Sequence, residues 1–217
     1  MSIAPDQPDP LSATGIAGLD DILGGGLPSH RLYLIEGNPG SGKTTFALQY
    51  LLEGVRRGEP GLYITLSETK NELTAAARSH GWRLDGLEVV ELMASESELM
   101  TDNQNTMFPP AEVELGETTK AILAEVDRVK PKRVVIDSVS ELRLLAQSSV
   151  RYRRQILALK QFFAGRACTV LVLDDKTADG HDLQLQSIAH GVVNLEHMSP
   201  AYGAERRRSA RSSFRTG

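Results

Sequence analysis

The stretch RLYLIEGNPGSGKT, residues 31–44, decides how this chain is read. Its first half, RLYLIEG (31–37), is an apolar, strand-like run that ends in glycine. From Lys43 to Arg57 the apolar residues Phe46, Leu48, Leu51, Leu52 and Val55 recur at helical spacing. Between the two, Gly37-Asn38-Pro39-Gly40-Ser41-Gly42-Lys43-Thr44 matches G-x-x-x-x-G-K-[ST], in the strand–loop–helix context that this pattern requires. At average residue frequencies a chance match in a chain of this length is on the order of 1%. Each part has its own physical reason. Glycines let backbone N–H groups turn toward phosphates with no Cβ in the way. The helix that opens at Lys43 directs its positive dipole end at the same place. The Lys43 ammonium can reach β- and γ-phosphates, and the Thr44 hydroxyl can ligate Mg²⁺. The expected nucleotide-binding residues are therefore Gly37, Asn38, Pro39, Gly40, Ser41, Gly42, Lys43, Thr44 and the adjoining Thr45.

Outward from this loop the chain alternates strand-like and helix-like stretches. GLYITL (61–66) reads as a strand, and Thr69-Lys-Asn-Glu72 as a capping box that opens a helix to about Ser79, closed near Gly81. LEVVEL (87–92) is a further strand, and residues 93–111 are polar and loop-like. Leu115 to Val129 is helical and stops before Pro131. RVVID (133–137) and TVLVLDD (169–175) are continuously apolar strands ending in acid, with a helix from Val150 to Phe163 between them. VVNLEH (192–197) reads as an edge strand. Strand–helix alternation predicts an α/β fold, a mostly parallel central sheet with helices on both faces. Ligands of such sheets bind at the carboxyl ends of the strands, where these acids lie.

Asp137 is the natural magnesium-binding aspartate; the competing role is a cap on the following helix. Asp174 and Asp175 suit either a place near a γ-phosphate or a turn. Glu68, just past the strand GLYITL, suits a base that orients or deprotonates a water, or else a first-turn helix glutamate. The five histidines (30, 80, 181, 190, 197) show no metal-ligand spacing, and Cys168 reads as a core thiol.

Composition bounds the rest. The 217 residues carry 41% hydrophobic and 24% charged side chains, which is globular rather than disordered. A net charge of −4 argues against a chain that coats nucleic acid. Residues 204–217 hold five arginines and one glutamate, a net of +4, which leaves −8 for residues 1–203. One cysteine excludes an internal disulfide and a cysteine-based zinc cluster and fits a reduced, cytoplasmic setting. No apolar run approaches the roughly 20 residues of a membrane span. The expected organisation is a flexible leader (1–12), one ATPase-like domain (13–203) and a solvated basic tail (204–217).

Several runs taken together resemble one family. Thr14-Gly-Ile-x-x-Leu19-Asp20-x-x-Leu23-Gly-Gly-Gly-Leu27-Pro28 precedes the loop strand. Tyr63-Ile-Thr-Leu-Ser-Glu68-Thr, Val134-Val-Ile-Asp137-Ser138 and Tyr202-Gly-Ala-Glu-Arg-Arg-Arg follow. Over about residues 11–208 these resemble the KaiC-like branch of the RecA superfamily of ATPases. The resemblance implies a RecA-like P-loop NTPase core that binds ATP with Mg²⁺, held by Thr44 and Asp137, at the interfaces of a hexameric ring. It also implies slow hydrolysis assisted by Lys43 and Glu68, a signalling role toward a protein partner and, in some members, autophosphorylation on serine or threonine.

Two positions depart from the family pattern. Clock-type domains carry two adjacent glutamates where this chain has Ser67-Glu68, the "SET" form found outside the clock. The family's terminal Lys-x-Arg, which reaches the neighbouring subunit's γ-phosphate, aligns with Ser213-Phe214-Arg215, so Arg215 is the candidate finger. The run Ser209-Ala-Arg-Ser212 before it lacks apolar strand character. Two other functions follow as alternatives: a nucleotide sensor with little turnover, and a recombinase-like ATPase on single-stranded DNA. The second is opposed by Lys176–Gln186, KTADGHDLQLQ, which has no aromatic residue on which a base would stack.

Overall fold

The computed structural model describes residues 10–92, 110–176, 184–198 and 206–214, and at 110–112, 184, 197–198 and 206–214 the backbone alone. Seven strands form the main sheet: β3 (Leu32–Gly37), β4 (Gly61–Thr65), β5 (Leu87–Glu91), β6 (Arg133–Asp137), β7 (Thr169–Asp175), β8 (Gly191–Met198) and β9 (Arg206–Phe214). Their order is β5-β4-β6-β7-β3-β8-β9. The first six in that order run parallel, and β9 runs antiparallel to β8. A two-stranded ribbon, β1 (Leu11–Ser12) with β2 (Leu27–Pro28), brackets the short helix α1 (Ala17–Ile22).

Period-two alternation sorts the strand residues onto two faces. Tyr33, Ile35, Tyr63, Val135 and Leu171 lie against Phe46, Leu48 and Leu51 of α2 (Lys43–Arg56) and Leu73 of α3 (Lys70–Ser79). Leu34, Ile64, Val134, Ile136 and Val172 lie on the other face, under α4 (Pro110–Val129), α5 (Val139–Ala146), α6 (Ser149–Ala164) and α7 (Gln184–Ile188). Because both faces are covered, the strands read as unbroken apolar runs. The register sets their carboxyl ends level: Thr65 opposite Asp137, and Gly37 opposite Asp175.

The lead-in before β3 is tied down by polar contacts. Asp20 accepts from the Thr14 N–H and hydroxyl at 2.8 and 2.7 Å and from the Gly15 N–H at 3.0 Å. Gln49 on α2 donates to Gly15 O at 2.6 Å. Gly26 sits at φ +143°, and a Cβ there would lie 2.5 Å from Ser12 O. The Thr-Gly-Ile and Gly-Gly-Gly elements thus fold the lead-in onto the helix that follows the loop.

Arg133, only 1% exposed, joins this lead-in to the sheet. Its guanidinium donates to Ala13 O at 2.6 Å, Tyr50 O at 2.8 Å and Glu59 Oε2 at 2.5 Å, and lies 4.7 Å from the Tyr50 ring centroid. Arg133→Met removes three charge-assisted bonds while keeping apolar volume, and is expected to cost about 3 kcal/mol. Thermal unfolding should report a midpoint roughly 6–12 °C lower; an unchanged midpoint would show that these bonds are energetically neutral.

Three elements differ from expectation. α4 opens at Pro110 rather than Leu115; the expected 93–111 loop otherwise lies outside the described residues. α5, to which the sequence reading assigns no element, is an 8-residue helix of about two turns, ended by Gln147 in the left-handed region at φ 53°. β9 replaces the expected solvated tail with a 9-residue strand, which makes β9 rather than β8 the edge. The reason is the ladder itself. β8 offers a row of backbone donors and acceptors, and a polar, arginine-rich strand is a common way to finish a sheet edge. Arg215 lies outside the described residues.

Candidate functional site

The site is built where β3 turns into α2. Gly40 and Gly42 lie at φ +78° and +100°, the left-handed region that glycine enters freely. At Gly37 a Cβ would stand 2.5 Å from both Leu195 O and Ser41 Oγ, so the loop closes only around a bare Cα. The Ser41 N–H donates to Asn38 O at 3.0 Å, and Pro39 is exposed at the tip. Ser41 Oγ is buried with no hydrogen-bond partner among the described residues. The first turn of α2 holds no carboxylate and Gly42 supplies no capping side chain, so the helix's amides are left for an anion. A buried, unanswered hydroxyl beside these amides is the donor set that phosphate oxygens satisfy.

Lys43 is buried, only 7% exposed, where a loop lysine would ordinarily be solvated. Its Nζ donates to Gly37 O at 2.8 Å and Asn38 O at 3.1 Å and forms an ion pair with Asp175 Oδ1 at 2.7 Å. The two acids that end β7 therefore part company. Asp175 faces the loop. Asp174 is buried on the other side, accepting from Ser140 Oγ at 2.9 Å and from Arg143 Nη2 at 2.8 Å.

Asp137 is buried beside Thr44, whose Oγ1 donates to Asp137 Oδ2 at 3.4 Å. The same carboxylate oxygen accepts from the Tyr63 hydroxyl. Ser138, the N-cap of α5, makes no side-chain cap bond, and the carboxylate of Asp137 is turned toward the loop by Thr44 and Tyr63. Burial raises the Asp137 carboxyl above its ordinary value, Tyr63 opposes that rise, and Asp175 adds to it. Tyr63 is pushed well above the usual phenol range by burial and by Asp137, so it stays a donor. Two hard oxygens, Thr44 Oγ1 and Asp137 Oδ2, suit Mg²⁺, which takes few protein ligands and completes its shell with phosphate and water.

Glu68 lies in the turn before α3, not in its first turn. Thr65 Oγ1 fixes that turn, donating to Glu68 O at 2.7 Å and accepting from the Glu68 N–H at 2.9 Å. Burial raises the Glu68 carboxyl, with Asp137, Glu72 and Asp175 pushing the same way and Lys43 opposing. Lys43, Thr44, Asp137 and Asp175 thus meet at the loop, and Glu68 stands just past the end of the strand whose Thr65 pairs with Asp137. Thr45 sits apart, its Oγ1 3.4 Å from His80 Nε2, and His80 stacks on Trp82 at 4.8 Å. Sequence reasoning missed Tyr63, whose tyrosine is one more apolar-face residue in a strand; only the register, which seats β4 beside β6, brings it to Asp137.

A parallel sheet with a glycine loop at a strand's carboxyl end and a buried aspartate two strands away defines a P-loop NTPase with a RecA-like core. A family model described as "ATPase: KaiC" matches residues 12–211, and the chain belongs to that family. It is similar to a UPF0273 protein of Thermotoga maritima, 30% identical over 188 residues that cover 84% of this chain and 76% of the relative. A UPF0273 protein of Methanopyrus kandleri is 31% identical over 199 residues, with coverages of 85% and 75%. The circadian clock oscillator protein KaiC of Prochlorococcus marinus is 34% identical over 148 residues, 67% of this chain but 28% of the relative. The matched span reaches into β9 and so includes the strand that composition had suggested was a tail.

Proposed function

We propose that this chain is a Mg²⁺-dependent ATPase with slow turnover that assembles with copies of itself and signals its nucleotide state to a protein partner. The observation that carries the reading is that Lys43, Thr44 and Asp137 meet at one loop, with Glu68 held by Thr65 at the end of the strand that pairs with Asp137. The loop amides and Lys43 bind the phosphates, and Thr44 with Asp137 holds the ion. Mg²⁺, when bound, withdraws charge from the β- and γ-phosphate oxygens. Glu68 positions a water and takes its proton as the water oxygen attacks the γ-phosphorus. The bond from that phosphorus to the bridging oxygen breaks, and ADP and phosphate leave. The ring and an arginine finger at Arg215 are part of the proposal and rest on the family relationship. No helix among the described residues is long and apolar enough to cross a membrane, and a cytoplasmic setting is proposed on the lone buried thiol, Cys168.

The test is phosphate release by the purified chain, compared with Glu68→Gln. The variant is expected to keep Mg-ATP binding and to lose about 10²-fold or more in rate. A base acts only when ionised. Because Glu68 titrates above its ordinary 4.5, the wild-type rate should fall as pH drops through that raised value, while the variant's residual rate stays flat there. Equal rates and equal profiles would remove Glu68 from the mechanism.

The second reading is a nucleotide sensor with little turnover. Ser67 favours it, since a hydroxyl stands where the clock-type pair has its first carboxylate. Tight Mg-ATP binding with no phosphate release above the Glu68→Gln level would select the sensor.

A further inference from the structure

The Lys43 ammonium has three donors, and three acceptors hold it: Gly37 O at 2.8 Å, Asn38 O at 3.1 Å and Asp175 Oδ1 at 2.7 Å. Two of these are backbone carbonyls of the loop itself. The third is a side chain from β7, brought alongside by the pairing of Gly37 with Asp175. A phosphate oxygen that draws on Lys43 must therefore displace one acceptor. Asp175 is the acceptor with the same charge as phosphate, and with its side chain 32% exposed it has solvent to turn toward. Its Oδ2 accepts from Ser138 Oγ at 3.5 Å, while the neighbouring acids answer to other donors: Asp137 to Tyr63 and Thr44, Asp174 to Ser140 and Arg143. We infer that Asp175 competes with the polyphosphate of the nucleotide for Lys43, so that this carboxylate sets how tightly the loop holds a nucleoside polyphosphate. The inference rests on reading the loop as the nucleotide site, and it assigns Asp175 a role opposite in sign to that of Asp137, with which it shares the site.

Mg-ATP binding to four full-length proteins tests this: wild type, Asp175→Asn, Lys43→Ala and the double variant. The shift of the thermal midpoint with ATP concentration reads even millimolar affinities. Asp175→Asn is expected to tighten Mg-ATP roughly tenfold, the worth of one charge-assisted hydrogen bond. With Lys43→Ala already in place the same change is expected to gain less than about twofold. The same gain in both backgrounds would overturn the inference and leave charge repulsion alone. Weaker or unchanged binding by Asp175→Asn would overturn it too, by making Asp175 a helper or a bystander. If Lys43→Ala by itself leaves ATP affinity untouched, the nucleotide-site reading falls and takes the inference with it. Asp175→Ser provides a second uncharged variant in case the first is unstable in the absence of ATP. The Asp175 N–H, which donates to Ser140 Oγ at 3.0 Å, is untouched in both.

Discussion

Replacing Lys43 by alanine is expected to weaken Mg-ATP binding by about 10²-fold or more, while the fold survives with a stability loss of about 1–2 kcal/mol. Both halves follow from the geometry. The ammonium is almost wholly removed from water and aimed back across the loop, where phosphates that lie over the amides of Gly40 to Thr44 would meet it. An ammonium in that place is worth much more than the same charge on the surface, because water cannot screen it. Its removal also takes one partner from Asp175, which is partly exposed and so can hydrate, and leaves the carbonyls of Gly37 and Asn38 with one donor fewer. Calorimetric titration gives the affinity and chemical denaturation gives the stability. Intact affinity would detach the loop from nucleotide binding. A loss of folding far beyond 2 kcal/mol would make Lys43 a structural residue first.

Asp137→Asn is expected to act on a different step. Nucleotide affinity should stay within a few-fold, and Mg²⁺-dependent turnover should fall by about 10²-fold or more. Asparagine keeps an oxygen that accepts from Tyr63 and Thr44, so the local bonds survive. On the proposed site the variant would lose the negative charge on which the ion depends, and with it the charged protein ligand for Mg²⁺. Tyr63 would still hold the strand end, and Lys43 would remain for the phosphates. Phosphate release measured against Mg²⁺ concentration checks this: the variant should need more Mg²⁺ and reach a lower plateau. Turnover equal to wild type at the same Mg²⁺ concentration would move the ion's ligand elsewhere in the site.

The parts of the fold that local chemistry dictates were legible in advance. TVLVLDD and RVVID became β7 and β6 with the expected bounds, because runs buried on both faces carry no competing periodicity. The Thr69–Glu72 capping box formed as the spacing requires, with both reciprocal bonds present. The loop was legible because glycine, lysine and threonine at those intervals answer to one geometry. What remained hidden depends on pairs of distant residues. That Asp175 rather than Asp174 faces Lys43 is a matter of strand parity: alternate residues point to opposite faces, and a run of two acids leaves the choice open until the register is known. Tyr63 reached Asp137 through the pairing of β4 with β6, which local sequence does not encode. β9 is not legible in the sequence because its residues lack apolar character, while an edge strand draws its stability from the backbone ladder and from the strand it covers.

The loop, Asp137 and Glu68 are proposed to form one hydrolytic site. The measurement that reaches it most directly incubates the purified chain with γ-labelled ATP and Mg²⁺ and follows released phosphate and protein-bound label together, with Lys43→Ala in parallel. The expected result is phosphate released in step with time, no stable label on the protein, and loss of the signal in the variant. Phosphate released at the same rate by Lys43→Ala would contradict it, as would label that accumulates on the chain with no release, which would make the γ-phosphate's acceptor a protein hydroxyl instead of water.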